Sequence, residues 1–205
     1  MYVPDAFRVG DADELIAFIA EHSFGTLVSA VNGEPFATHL PFLIDRTAAG
    51  TVLRAHMARV NPQWRALEDG DALAIFTGGH TYVSPNWYAS RQSVPTWNYV
   101  AVHAYGRARI IEDRDGVIDV LQRLTAINEA GFASPWSIDE LEGEQREGFL
   151  RAIVAFEIPV SRLEGQFKLS QNRSAEDRHG VVTGLERIGN PQAAEVAARM
   201  RASLD

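Results

Sequence analysis

The chain has 205 residues with 46% apolar and 22% charged side chains, enough to bury one domain core. A formal charge of −8 argues against a surface that grips nucleic acid through phosphates, which needs clustered Lys and Arg. The absence of cysteine excludes disulfides, thiolate metal sites and thiol catalysis. No run of 18 apolar residues suggests a membrane span, and the opening MYVPDAFRVGDADE lacks the charged-then-apolar pattern of a signal peptide. A soluble, cytoplasmic protein is expected.

The first periodic segment, DADELIAFIAEH (11–22), has apolar residues at helical spacing, Asp11 as N-cap and Glu14 three residues on, which predicts a helix. The period then changes. FGTLVSAV, EPFATHLPFLID, TVLRAHM and DALAIF are β-rich runs separated by Asn32-Gly33, Ala49-Gly50 and Asp69-Gly70, which predicts successive antiparallel strands and hairpins. VNPQWRALEDG, between the third and fourth of these, predicts a short helix capped by Asn61, started by Pro62 and ended by a left-handed Gly70.

From His80 to Gly106 the chain holds four of its five tyrosines and two of its four tryptophans. Pro85 and Pro95 forbid one continuous helix, so the segment must be extended pieces broken by turns, lining a surface suited to a planar ligand. NYVAVHAYGRARIIED predicts a long bent strand with Gly106 at the bend. DGVIDVLQRLTAINEAG and the more polar IDELEGEQREGFLR predict helices, and AIVAFEIPV returns to strand. The remainder reads as SRLEGQ, a polar loop KLSQNRSAEDR, and a terminal helix from Asn190-Pro191. The fold class predicted is mainly β with helices (α+β), divided as a barrel domain over 1–160 and a C-terminal loop and helical extension over 161–205.

No Gly-rich dinucleotide or P-loop motif, nucleophile elbow or His-Glu-x-x-His zinc pair occurs. Histidines 39, 56, 80 and 103 lie on or beside predicted strands. As a set they could ligate a metal or haem, although strand histidines are more often hydrogen-bonded core or cleft residues. Two clusters remain open between a ligand site and a solvated surface. Arg54, His56, Arg59 and Asn61 would converge near the start of the short helix, whose free amides attract an anion. FKLSQNRS (167–174) gathers the only lysine of the chain, two amides, two hydroxyls and Arg173, groups that suit a phosphate or the carbonyl and imide edge of a flavin.

MYVPDAF, ATHLPF, HMARVNPQW, GGHTYVSPNWY, VPTWNYVAVHAYG and KLSQNRSAEDRHGVVTGL together resemble the PaiB-type proteins, described as FMN-binding negative transcriptional regulators, in order over nearly the whole chain. The resemblance implies an FMN-binding split β-barrel and a homodimer with FMN in clefts at the subunit interface. It offers His39, Arg54, His56 and Asn61 as phosphate ligands, puts Trp97 and Asn98 beside the isoalloxazine ring, and has Lys168, Gln171, Asn172 and Arg173 close the site. The related oxidases carry a Ser-Arg-Lys-like phosphate cluster where this chain has VNP (60–62), which implies a looser or differently built grip. Promoter DNA is the partner implied by the regulator role. Yet residues 165–205 carry six Lys and Arg against five Asp and Glu, and the terminal helical segments resemble a helix-turn-helix only loosely. The alternatives are an NAD(P)H-linked flavin-dependent oxidoreductase or a haem-binding split-barrel protein, with no metal site expected.

Overall fold

The computed structural model describes residues 1–204. The elements in chain order are β1 (Arg8–Val9), α1 (Ala12–Glu21), β2 (Phe24–Val31), β3 (Glu34–Pro41), β4 (Leu43–Thr47), β5 (Gly50–Ala58), β6 (Ala72–Val83), β7 (Thr96–Gly106), β8 (Arg109–Ile111), α2 (Arg114–Glu129), α3 (Gly143–Arg151), β9 (Ile153–Lys168), α4 (Ala175–Ile188) and α5 (Pro191–Ala202). The main strand order is β3-β2-β6-β7-β9-β5-β4, with β1 and β8 paired to β9. This is the mixed α+β class with a curled antiparallel sheet. Two compact units emerge: one comprises Met1–Leu15, Phe76–His103 and the chain from Glu164, the other Ile16–Ile75 and Ala104–Leu163. β9 is one strand through residue 160.

In the second unit, β2 and β3 form a hairpin from Phe24↔Pro41 to Val31↔Glu34. Its two turn residues, Asn32 and Gly33, take φ of 53° and 80°, the left-handed pair that matches the twist of the flanking strands. The stretch EPFATHLPFLID, predicted as one strand, breaks at Phe42. Its first half pairs with β2, and Leu43 opens a new ladder opposite Arg54 of β5. β5 in turn pairs with β9 from Val52↔Pro159 to Ala58↔Ile153. Asp113 caps α2 by accepting from the Gly116 amide at 2.7 Å, and Val120 and Leu124 on its inner face pack on Leu43 and Ile111. The helix predicted from Asn61 is a single 3₁₀ turn, Pro62–Ala66, and Gly70 is not left-handed. What anchors this turn is Gln63, fully buried, whose amide donates to the Leu27 and Phe36 carbonyls and to Ser29 Oγ.

In the first unit, β1 pairs with β9 through Arg8↔Gln166 and Val9↔Gly165. Gly165 has no room for a side chain, since a Cβ there would stand 2.2 Å from Leu15. The stretch 175–178, read from sequence as loop, is the first turn of α4; Ser174 caps it by accepting from the Asp177 amide at 3.2 Å. α4 stops at Gly189, left-handed with φ 70°, and Asn190 caps α5 with Pro191 next.

Candidate functional site

Alternation along β7 sorts the aromatic segment in the first unit. Asn98 and Val100 point into the core while Trp97 remains 53% exposed. Two side chains of β6 border the Trp97 indole. The Tyr82 ring stands edge-on with its centroid 6.1 Å away, and the His80 ring lies at 6.4 Å, tilted by 34°. All three are exposed, so they form an open aromatic surface rather than a core layer.

Lys168 donates from Nζ to Thr96 Oγ1 at 2.5 Å and lies about 6 Å from the rings of Phe7 and Tyr99. Burial holds its ammonium pKa below the usual lysine value. The loop after it is built on Ser170, which takes φ of 62° and is buried. Asn98 donates to Ser170 Oγ at 3.0 Å and to the Met200 sulfur at 3.4 Å, and Ser170 Oγ donates back to Asn98 Oδ1 at 3.2 Å. Gln171 closes the loop on itself, accepting from the Leu169 amide and donating to the Phe167 carbonyl. Arg173 donates to Ser93 Oγ at 3.2 Å and covers the Tyr88 ring at 4.8 Å. Tyr88 itself is buried and its hydroxyl has no hydrogen-bond partner among the described residues. Asn172 is exposed.

A pair of glycines on α4 holds the aromatic segment in place. At Gly180 an added Cβ would stand 2.0 Å from the Trp87 carbonyl, and at Gly184 it would stand 2.4 Å from the indole. One helical turn apart, the two form a notch that receives Trp87. The Ala89 amide also donates to Asp177 at 2.9 Å.

The four residues expected to hold phosphate lie in the second unit and are not gathered at one point. Arg54 pairs with Asp45 and, at 3.3 Å, with Glu157; Asp45 also receives Arg123. The Arg123 hydrogen bond, opposed by burial and aided by the charge of Arg54, holds the Asp45 carboxyl below its ordinary range. Arg54 and His56 border separate cavities of about 940 and 380 Å³. His39 is exposed, with Nδ1 hydrogen-bonded to Thr26 Oγ1 at 2.9 Å. Asn61 donates to Thr38 Oγ1 and accepts from the Gln63 amide, both at 2.9 Å, so its own side chain takes up one of the amides expected to attract an anion. Arg59, weighed with these, donates to the carbonyls of Arg151 and Ile153.

Tyr82, Thr96 and Ser93 join the first-unit set without having been singled out as site residues, and His80, weighed from sequence only with three other histidines as a metal or haem ligand, joins it beside the indole. A period of two along GGHTYV would have put His80 and Tyr82 on one face. Nothing in the sequence links Ser93 to Arg173, 80 positions on. A flavin requires a flat apolar face, cations or donors for its polar edge and tail, and exclusion of bulk water. The exposed indole, the part-desolvated ammonium and the guanidinium over Tyr88 supply the face and the cations, so the first-unit set fits the ring and polar edge of the group, while exclusion of water would need cover that one chain does not provide.

The family described as "Putative FMN-binding domain" matches residues 1–162. The chain belongs to this family. It is 40% identical to the Bacillus subtilis protein named protease synthase and sporulation protein PAI 2, over all of this chain and 98% of that one, so it is a PaiB-type protein, and membership carries FMN as its cofactor. Among solved structures it is similar in fold to the FAD and heme binding protein of Mycobacterium smegmatis (TM-score 0.61, 20% identity, 83% of this chain and 78% of that one). It is also similar to a flavocytochrome of Azotobacter vinelandii (TM-score 0.60, 17% identity, 78% and 69%). The fold is therefore the flavin-type split barrel expected from sequence. Among the described residues no helix is long and apolar enough to cross a membrane.

Proposed function

We propose that this protein is a homodimeric, FMN-binding negative regulator of transcription whose flavin ring lies on the Trp97 face. The observation that carries the reading is the conjunction in one unit of an open three-ring surface with Lys168 and Arg173. Trp97 supplies the stacking face, with Tyr82 and His80 steering the ring edge-on from β6. Lys168 supplies a cation whose hydration is already reduced, so that less water is displaced when an anionic flavin edge or phosphate arrives. Arg173, Gln171 and Asn172 border the polar side. Asn98 works at one remove: fully buried, it ties β7 to Ser170 and thereby fixes the loop on which Lys168 and Arg173 stand. Bound FMN would supply one- and two-electron redox chemistry, making the protein a flavin-linked sensor. The regulatory role follows from the resemblance to the PaiB-type proteins, described as negative transcriptional regulators; the Bacillus subtilis relative is named for protease synthesis and sporulation.

Exposure of Trp97 and Tyr82 also supports a dimer, since a second subunit would cover apolar rings that one chain leaves in water. The visible spectrum of the purified protein, taken with light scattering, tests the reading. Two flavin bands from a particle of twice the chain mass are expected. A dominant Soret band would replace FMN with haem, and a monomer would remove the shared site. A mobility shift on promoter DNA, compared with an unrelated fragment, tests the partner; equal weak retention of both would exclude direct repression. FMN-dependent oxidation of NADH or NADPH above the free-flavin rate would favour the oxidoreductase instead.

A further inference from the structure

We propose that α5 is a positioning element of the flavin face, holding the two strands that carry the rings through Gln192 on β6 and Met200 on β7, so that seating of this helix and occupancy of the face are coupled. The inference rests on the reading that the flavin lies on Trp97. The rings come from neighbouring strands, His80 and Tyr82 from β6 and Trp97 from β7, so their spacing is set by whatever fixes one strand against the other. β2 accompanies β6 only as far as Ile75. Beyond it the His80 amide donates to Gln192 Oε1 of α5 at 3.0 Å. Gly79, next to it and buried, lets the helix backbone lie directly on the strand, since a Cβ there would stand 2.9 Å from the Gln192 carbonyl and 3.1 Å from Glu195 Cβ. On β7 the fully buried Asn98, next to Trp97, donates to the Met200 sulfur at 3.4 Å. Gln192 and Met200 stand about 12 Å apart along the helix, so one rigid rod meets both strands.

The start of that rod is fixed locally. Asn190 accepts from the Ala193 amide at 2.8 Å and Pro191 follows it, which puts Gln192 in the first turn, beside His80. Ala193, Val196, Ala197 and Met200 are buried and seat the helix. Gln192 is exposed and adds nothing to that core. Its bond to His80 therefore bears on where β6 stands rather than on whether α5 is folded. A face held in register beforehand spares the flavin the cost of ordering it, and by reciprocity a bound flavin holds the helix. In a regulator, that coupling makes α5 the element through which flavin occupancy is passed on.

Flavin-fluorescence titration and hydrogen–deuterium exchange on the full-length protein test the coupling, with FMN itself as the probe. Gln192→Ala should bind FMN about fivefold more weakly, the ratio that one net hydrogen bond supplies. Gln192→Glu, which keeps an acceptor at the same reach, should recover most of the loss. Saturating FMN should slow exchange at the α5 amides about fivefold in the wild type and hardly at all in Gln192→Ala. Asp113→Ala, which removes the cap of α2 in the second unit, should lower the urea midpoint and leave FMN affinity unchanged. Wild-type affinity in Gln192→Ala overturns the proposal, as does α5 exchange indifferent to FMN, a Gln192→Glu protein no better than Gln192→Ala, or an equal loss of affinity in Asp113→Ala. Trp97→Ala separates two kinds of failure. If it loses FMN affinity while Gln192→Ala does not, the flavin is on the face and only the role of α5 falls; if it binds FMN as tightly as wild type, the flavin lies elsewhere and both readings fall.

Discussion

Replacing Gly184 with alanine adds one methyl group to a helix, where the substitution ordinarily stabilises by about 1 kcal/mol. Here the new Cβ would stand 2.4, 2.5 and 2.7 Å from three atoms of the Trp87 indole, against an ordinary carbon–carbon contact of about 3.5–4.0 Å. The indole has no easy retreat, because the Trp87 carbonyl already fills the space at Gly180, 2.0 Å from where a Cβ would be. Overpacking of this severity costs about 1–3 kcal/mol or more. With three contacts under 3 Å the cost falls at the upper end, about 3 kcal/mol, and leaves a net loss of about 2 kcal/mol, or roughly 4–8 °C in thermal midpoint for a chain of this length. Gly148, in α3, is the control: nothing lies within 4 Å of its added Cβ, so Gly148→Ala should gain about 0.5–1 kcal/mol. Calorimetry on both variants reads the two signs. A Gly184→Ala protein as stable as wild type would show that Trp87 is not seated in the notch, and the anchoring of the aromatic segment would fail with it.

Asp45→Asn should destabilise by about 1–3 kcal/mol, a range set by the loss of two arginine partners at a site still partly open to solvent. The Asp45 carboxyl is held below its ordinary value of 3.8, mainly by its hydrogen bond from Arg123. Its contribution is therefore complete above that pH and lost as the pH falls through the lowered value. Urea midpoints of the wild type and Asp45→Asn should accordingly converge below about pH 4; a gap constant to the lowest pH would contradict the ion cluster. His56, with its pKa held below 6.5 by burial, should make the wild type lose stability as pH falls from 6.5, where the unfolded chain binds the proton first. His56→Phe should flatten that slope in the same titration. Asn98→Ala, which strands Ser170, should lower stability by about 2 kcal/mol and weaken FMN binding without touching the flavin; an unchanged urea midpoint would refute its tying role.

The local grammar of the fold was legible where one segment carries the whole signal. Asn32-Gly33 names its own turn, Asp11 and Asn190 announce their helices, and FGTLVSAV is β2 from end to end. Legibility failed where the reason is a distant neighbour. DALAIF and the aromatic segment from His80 read as separate pieces, yet β6 runs unbroken from Ala72 to Val83. Gly79 is there because a Cβ would lie 2.9 Å from the Gln192 carbonyl of α5. Likewise SRLEGQ reads as a tail although it continues β9, with Gly165 making room for Leu15. The site divides the same way. Aromatic density marked the Trp97 face, and scarcity marked Lys168. Arg54 was read as available to an anion because the sequence cannot show that Asp45 and Glu157 already hold it. The start of α4 was available in Ser174 with Glu176 and Asp177 behind it, a capping signal hidden in a run read only as polar.

Titration of FMN into the apo-protein, followed by quenching of flavin fluorescence, puts the Trp97 face to the most direct test. Trp97→Ala should bind FMN about tenfold more weakly, the loss expected when a ring-sized stacking surface is removed, while the fold of the chain stays as in the wild type because the indole, 53% exposed within one chain, is no part of its core. An FMN affinity equal to wild type in that variant would contradict the account and move the flavin elsewhere on the chain.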